Sequence, residues 1–465
     1  MEKRLKALLS TIQGNMRQYG TAVVNRWDID RAEASATWRF MNNPSVTVEE
    51  LESILRKECL EQSKGENHVL LIEDTTEISY ESHRGRFSND DISIGVLSDN
   101  RTKGILAHCC LCISATTLLP IGISAAKIWA RPKSETKKSS RAHKQKQRLK
   151  PEQERESRRW IEQAQRSMSA LSPTTKVTVV ADRESDMYAL LEELPNERID
   201  VLVRSSYDRM LVGEEKLSEV LSRQPILGVK TMEIKNKNGA GKRSAVLEFR
   251  SAQVTIKAPQ SAKNSKTDSL KVWAVEVREQ ATTESTETPI CWRLLTTHNA
   301  ETFQQSEQIA EWYSRRWMIE DLHRILKTEG LDIESSQFEQ GAALHKLLLI
   351  ALREALTILL LRQERHGIAG LKASCRFSDD EIEALEALGS NLEGKTKKQQ
   401  NPFDKFSLAW AGWIIARLGG WLPYDMNVRP PGVITYVRGM IRFRDRYEGW
   451  LTLKNRAENN RSHPP

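Results

Sequence analysis

The arrangement of apolar and polar positions divides the chain into recognisable elements. HVLLIEDTT, starting at His68, is a short apolar run that stops abruptly at two acids and two threonines. Such a run predicts a buried strand that delivers Asp74 at its C-terminal end. Apolar runs over 104–116 and 118–130 predict two strands pairing with it. KVTVVADRESDMYALLEEL predicts a β-branched strand from Lys176 to Ala181, then Asp182 at its end and a helix after it. Two buried strands thus end in a carboxylate.

Residues 1–55 predict basic helices, with Asn42-Asn43-Pro44 stopping one and Thr47 before Glu49-Glu50 starting the next. Pro151 opens an amphipathic helix that runs to about Ala170. Residues 207–285 alternate in the way of an antiparallel sheet, with Trp273, Val275 and Val277 facing one way and Asn238-Gly239 as a hairpin turn. CWRLLTTH then returns as a strand, and helical periodicity runs from about Glu301 to Arg365. The tail 366–465 reads as helical, Gly419-Gly420 closing a helix that carries Trp410, Trp413, Ile414 and Leu418.

A chain of 465 residues with 39% hydrophobic positions can bury a sizeable core, which excludes a peptide, a coiled coil and a disordered tail. Net charge +8 is a mild pointer to a polyanionic partner. Much of it lies in 131–150, which reads either as a solvated linker or as a phosphate-contacting arm. MEKRLKALLSTIQ lacks the apolar region of a signal peptide, and the apolar run 347–361 is interrupted by Arg353 and Glu354, so it predicts a buried helix and no membrane span. The 6 cysteines do not form a disulfide framework, which fits a reducing cytoplasm. His108 with Cys109, Cys110 and Cys112 is a candidate soft-metal cluster. Strand alternation separates Cys109 from the other two, and no second paired ligand set stands at zinc spacing, so these read as buried apolar cysteines.

EWYSRRWMIEDLHRILKTEG supplies a third carboxylate. Read as one helix, it places Tyr313, Arg316, Glu320, His323 and Lys327 on one face and Trp312, Ile319, Leu322, Ile325 and Leu326 on the other. A solvated helix with i,i+4 pairs gives the same pattern. The conjunction with Asp74 and Asp182 points further: three clustered carboxylates repel unless a cation joins them, and few hard oxygen ligands suit Mg²⁺. Two such ions can drive an in-line phosphodiester displacement, with Tyr313, Arg316 and Lys327 as phosphate clamps.

Tyr313, Arg316, Glu320 and Lys327 reproduce the spacing Y-x2-R-x3-E-x6-K. With RFMNNPSVTVEEL, LIEDTTEISY, ADRESDMYALL, LVRSS, WRLLTT and IARLGG, the chain from about residue 3 to 452 resembles the bacterial insertion-sequence DDE transposases of the YREK-signature group, to which the transposon-five transposase belongs. The resemblance implies an α/β fold: an RNase H-like catalytic core with a β-strand insertion domain, flanked by helical N- and C-terminal domains. The implied divisions are a DNA-binding region 1–55, the first part of the core 56–206, the insertion 207–285, the second part of the core 286–365 and a dimerisation region 366–465.

The same resemblance makes Asp74, Asp182 and Glu320 a catalytic triad holding two Mg²⁺ ions, for which Mn²⁺ can substitute. It makes Tyr313, Arg316, Lys327 and Arg204 DNA contacts and Trp292 a platform for a base flipped out during hairpin formation. The implied activity is cut-and-paste transposition by a homodimer that pairs transposon-end DNA and joins it to target DNA, in a bacterial, nucleoid-associated setting. Trp38, Arg39 and Phe40 read either as a packed helical hairpin or as end-sequence recognition. An N-terminal helix and basic turn of the family pattern are expected upstream of Met1. Their absence gives the alternative of a truncated, impaired transposase that binds DNA and inhibits transposition.

Overall fold

The computed structural model describes residues 3–133, 156–235, 242–259, 265–280, 289–327, 329–423 and 429–462. Its centre is a ten-stranded mixed sheet. The strands are β1 (His68–Ser79), β2 (Gly95–Val96), β3 (Lys103–Ser114), β4 (Pro120–Trp129), β5 (Lys176–Ala181), β6 (Ile199–Arg204), β7 (Gly228–Lys235), β8 (Lys242–Lys257), β9 (Ser269–Glu279) and β10 (Cys291–Thr296). The order is β2-β3-β1-β5-β6-β10-β9-β8-β7, with β4 also paired to β3. β1, β5 and β6 run parallel, and all other pairings are antiparallel.

The apolar runs of β1 and β5 are continuous because the sheet is covered on both faces. On one face Leu70, Ile72, Cys109 and Leu111 pack with Ile319, Leu322 and the long helix Gly341–Gln363. On the other, Val69, Leu71, Val177 and Val179 pack under the helices Arg159–Ser167 and Tyr188–Glu193. The run 347–361 lies inside that long helix and is buried, and no helix among the described residues is long and apolar enough to cross a membrane.

The N-terminal helices are Lys3–Tyr19, Arg31–Asn42 and Val48–Gln62. Asp30 accepts from Glu33 N, and Thr47 with Glu50 closes a capping box, as the Thr-x-x-Glu pattern requires. Of the C-terminal helices Asp379–Leu392, Leu408–Leu418 and Val433–Ser462, the last packs on the others and returns to the first helix. Arg17 pairs with Glu354 at 2.9 Å, and Gln18 donates to Glu448 at 3.1 Å.

Two expectations change. Asp74 is not at the end of its strand, because β1 continues to Ser79; what ends is the pairing with β5, whose last matched pair is Ile72 with Val180. The strands β7–β9 within 207–285 are antiparallel as expected, and they extend the core sheet through β10. The segment EWYSRRWMIEDLHRILKTEG is two helices, Phe303–Ser314 and Trp317–Leu326. The Asn238-Gly239 turn, the residues 134–150 of the basic segment and Pro151 lie outside the described residues.

Candidate active site

The parallel pair β1 and β5 sets the site. Ile72 matches Val180, so two residues further on Asp74 and Asp182 stand at the same level, beyond the last matched pair. Asp182 follows β5 directly and starts a short 3-10 turn, its Oδ1 accepting from the Glu184 amide at 2.7 Å. Asp74 accepts from the Thr75 amide at 2.8 Å. Adjacent strands thereby deliver two carboxylates at one edge of the parallel sheet, where ligands bind in open α/β folds.

The third carboxylate arrives from the helix Trp317–Leu326, which buries Ile319, Leu322, Ile325 and Leu326 against β1 and leaves Glu320 partly exposed. Arg316, just before this helix, pairs with Glu320 at 2.5 Å and with Asp74 at 3.8 Å. Asp74 feels the arrangement most. Burial first, then the charges of Asp182 and Glu320, push its carboxyl up to about 7 against the opposing pull of the Thr75 amide and Arg316. Arg316 is itself held above its usual range: burial opposes its charge, and the hydrogen bond and charge of Glu320 outweigh that.

On the flank, Tyr313 is buried, and its phenol is raised by that burial, while the charges of Arg316 and Arg204 and a hydrogen bond from Arg204 oppose the shift. The Trp292 ring meets the Tyr313 ring edge-on with centroids 5.3 Å apart. Arg204 also donates to the Cys291 carbonyl at 3.1 Å. Asp74, Asp182, Glu320, Arg316, Tyr313, Arg204 and Trp292 therefore form one continuous group, drawn from β1, β5, β6, β10 and the two helices.

Lys327 departs from the expected face. It follows the second helix; burial lowers its ammonium, and the carboxylates acting on it are Glu334 and Glu77, not the three above. His323, expected on the front, is buried, and burial lowers its imidazole to about 3. The cause lies between the helices. Arg315, Arg316, Met318 and Ile319 each donate their amide to the carbonyl three residues back, the tighter 3-10 pattern, which re-phases everything after Ser314.

Two residues near the site carry no pattern visible in the sequence. Arg159 Nε donates to Thr75 Oγ1 at 3.0 Å, and its Nη2 pairs with Glu184 at 3.1 Å, tying together the two residues whose amides donate to the aspartates. Trp317, 59% exposed, lies under the Arg316 guanidinium at 5.2 Å from its ring centroid. Of the N-terminal candidates, Phe40 is buried, Trp38 packs on Phe338, just before the long helix, with centroids 4.1 Å apart, and Arg39 is exposed.

Residues 146–353 match the family model described as transposase DDE domain. That span holds Asp182, Glu320 and the flanking Arg204, Trp292, Tyr313 and Arg316, and leaves Asp74 upstream. The chain is similar there to transposases, the class of enzyme that cuts and joins DNA strands. Among solved structures, a piggyBac transposase synaptic complex with hairpin DNA aligns at 11% identity with a TM-score of 0.32, covering 82% of this chain and 69% of that one.

Proposed function

We propose that this chain is a cut-and-paste DNA transposase of the YREK-signature insertion-sequence group, with an RNase H-like core and Asp74, Asp182 and Glu320 as its catalytic triad. The observation that carries the reading is the convergence of these carboxylates at one sheet edge, with Asp74 pushed up to about 7. Clustered carboxylates are poised to gain from a divalent cation, and an all-oxygen donor set suits Mg²⁺, with Mn²⁺ able to replace it. When bound there, Mg²⁺ supplies an activated water or 3′-hydroxyl and stabilises the leaving oxygen of an in-line displacement.

The protein's own groups divide the remaining work. Arg316 balances Asp74 and Glu320 in the free enzyme and can turn to a phosphate oxygen as DNA enters; Arg204 and Tyr313 offer further donors beside it. Trp292, half-buried against Tyr313, supplies a stacking face for an unstacked base during hairpin formation. Lys327, set apart near Glu77 and Glu334, contacts the DNA backbone further along the duplex. A homodimer pairs the two transposon ends and directs their 3′-hydroxyls to target DNA. The similarity of residues 146–353 to transposase DDE domains supports the same reading.

The test is strand cleavage of duplex DNA that carries the inverted repeats flanking the coding sequence. Nicking is expected with Mg²⁺ and not with EDTA. Asp182→Ala and Glu320→Ala are each expected to lower it by roughly a thousandfold, the effect of losing several kcal/mol of charge stabilisation. Equal nicking by wild type and Glu320→Ala overturns the reading.

A further inference from the structure

Behind Asp74, on the opposite face of β1, lies a group that the cleavage chemistry does not use. Glu73, His108 and Cys110 are all fully buried. Glu73 is directly opposite Cys110 across the β1–β3 ladder, and His108 is opposite Thr75, so all three side chains share one face of two paired strands. A carboxylate oxygen, an imidazole nitrogen and a thiol sulfur here lie within 4.8 Å of one another.

The spacing is the informative part. The His108 Nε2 to Glu73 Oε2 distance is 3.4 Å, long for a hydrogen bond between fully buried groups, and Cys110 Sγ stands 3.4 Å from Glu73 Oε1. With metal–ligand bonds of 2.0–2.3 Å and tetrahedral angles, the edges between donor atoms of a zinc site come to roughly 3.3–3.6 Å. The ring is oriented for ligation as well. His108 Nδ1 lies 2.9 Å from Thr75 Oγ1, which accepts from Arg159 Nε at 3.0 Å and can accept the ring N–H too, leaving the Nε2 lone pair towards Glu73 and Cys110. Trp160 closes the site edge-on at 4.6 Å from the His108 ring.

We propose that Glu73, His108 and Cys110 are three protein ligands of a buried zinc site that joins β1 to β3 beneath Asp74, with a water as the fourth ligand. Charge favours this occupant: one carboxylate and one thiolate neutralise a divalent ion, so the buried assembly carries no net charge. The donor set of sulfur, nitrogen and oxygen favours zinc over the magnesium expected at the all-oxygen edge. Because the ligands are enclosed, the ion enters as the chain folds, and its binding energy becomes folding energy.

The experiment uses the full chain produced in zinc-supplemented medium, washed with excess Mg²⁺ and assayed for metal. Close to one zinc per chain is expected in wild type and in Asp182→Asn, and almost none in Cys110→Val or Glu73→Gln. The wild-type chain refolded with Co²⁺ is expected to give a near-ultraviolet thiolate-to-cobalt band that Cys110→Val, folded by circular dichroism, lacks. Zinc-free wild type after refolding with zinc overturns the proposal, as does equal zinc in wild type and Cys110→Val. Neither readout involves DNA, so the outcome stands apart from that of the cleavage test.

Discussion

Asp74 carries two opposed demands. Its carboxyl, pushed up to about 7 mainly by burial, prefers to be neutral in the metal-free fold, whereas an unfolded aspartate ionises near 3.9. The raised group favours the folded state fully below the unfolded value, and that contribution is lost as pH rises to about 7. Asp74→Asn removes the penalty. In EDTA the variant is expected to gain stability over wild type by on the order of a few kcal/mol at pH 8 and little at pH 3, below the unfolded value, read as the urea midpoint at each pH. An equal difference at both pH values refutes the burial argument. Trp292→Ala is expected to leave nicking largely intact and weaken hairpin formation by about 1–3 kcal/mol, with Trp292→Phe restoring part, measured as the hairpin fraction on end DNA. Asp74 and Asp182 were legible because an abrupt apolar-to-acidic boundary marks where the β1–β5 pairing ends, although β1 itself continues to Ser79. Glu73 was not: it sits beside Asp74 in the same boundary, and only the β1–β3 register turns it inward towards Cys110 and His108.

Elements were legible in proportion to how far local patterning alone determines them. β1 and β5 are continuous apolar runs, and Thr47 with Glu50 is a cap written in four residues. The division at Ser314 has no glycine or proline to announce it; it follows from the need to bury Tyr313 against Trp292 while Ile319 and Leu322 pack on β1. A uniform 3.6-residue period then misplaces His323 and Lys327. The crossing of Leu408–Leu418 and Val433–Ser462 is another tertiary constraint. A Cβ at Gly439 would stand 1.9 Å from the Ile415 carbonyl oxygen, so backbone must move to admit one. Gly439→Ala is expected to cost roughly 1–3 kcal/mol or more despite the better helix propensity of alanine, measured by thermal unfolding. Thr47→Ala, which removes one cap, is expected to cost about 1 kcal/mol.

At the scale of the molecule, the helical flanks meet each other as well as the core, with Gln18 on Glu448 and Arg17 on Glu354. Helix Leu408–Leu418 is almost wholly buried in its own protomer, which leaves Ile434 and Leu453 on Val433–Ser462, 52% and 68% exposed, as the outward apolar positions for the proposed pairing. The double change Ile434→Asp and Leu453→Asp is expected to reduce paired-end complexes on native gels about tenfold while the melting temperature stays put, since exposed positions contribute little to folding. Unchanged pairing removes this helix from the interface. The order of the sheet has a consequence for synthesis. β6 leaves the ribosome early, and the strand that covers its open side, β10, comes only after β7, β8 and β9. Until then the nascent chain holds the mixed half-sheet from β2 to β6 with β6 as a bare apolar border, the kind of edge that recruits other chains. Covering that border therefore waits on the roughly 75 residues between β6 and the end of β9, so a shorter insertion is expected to shorten the exposure.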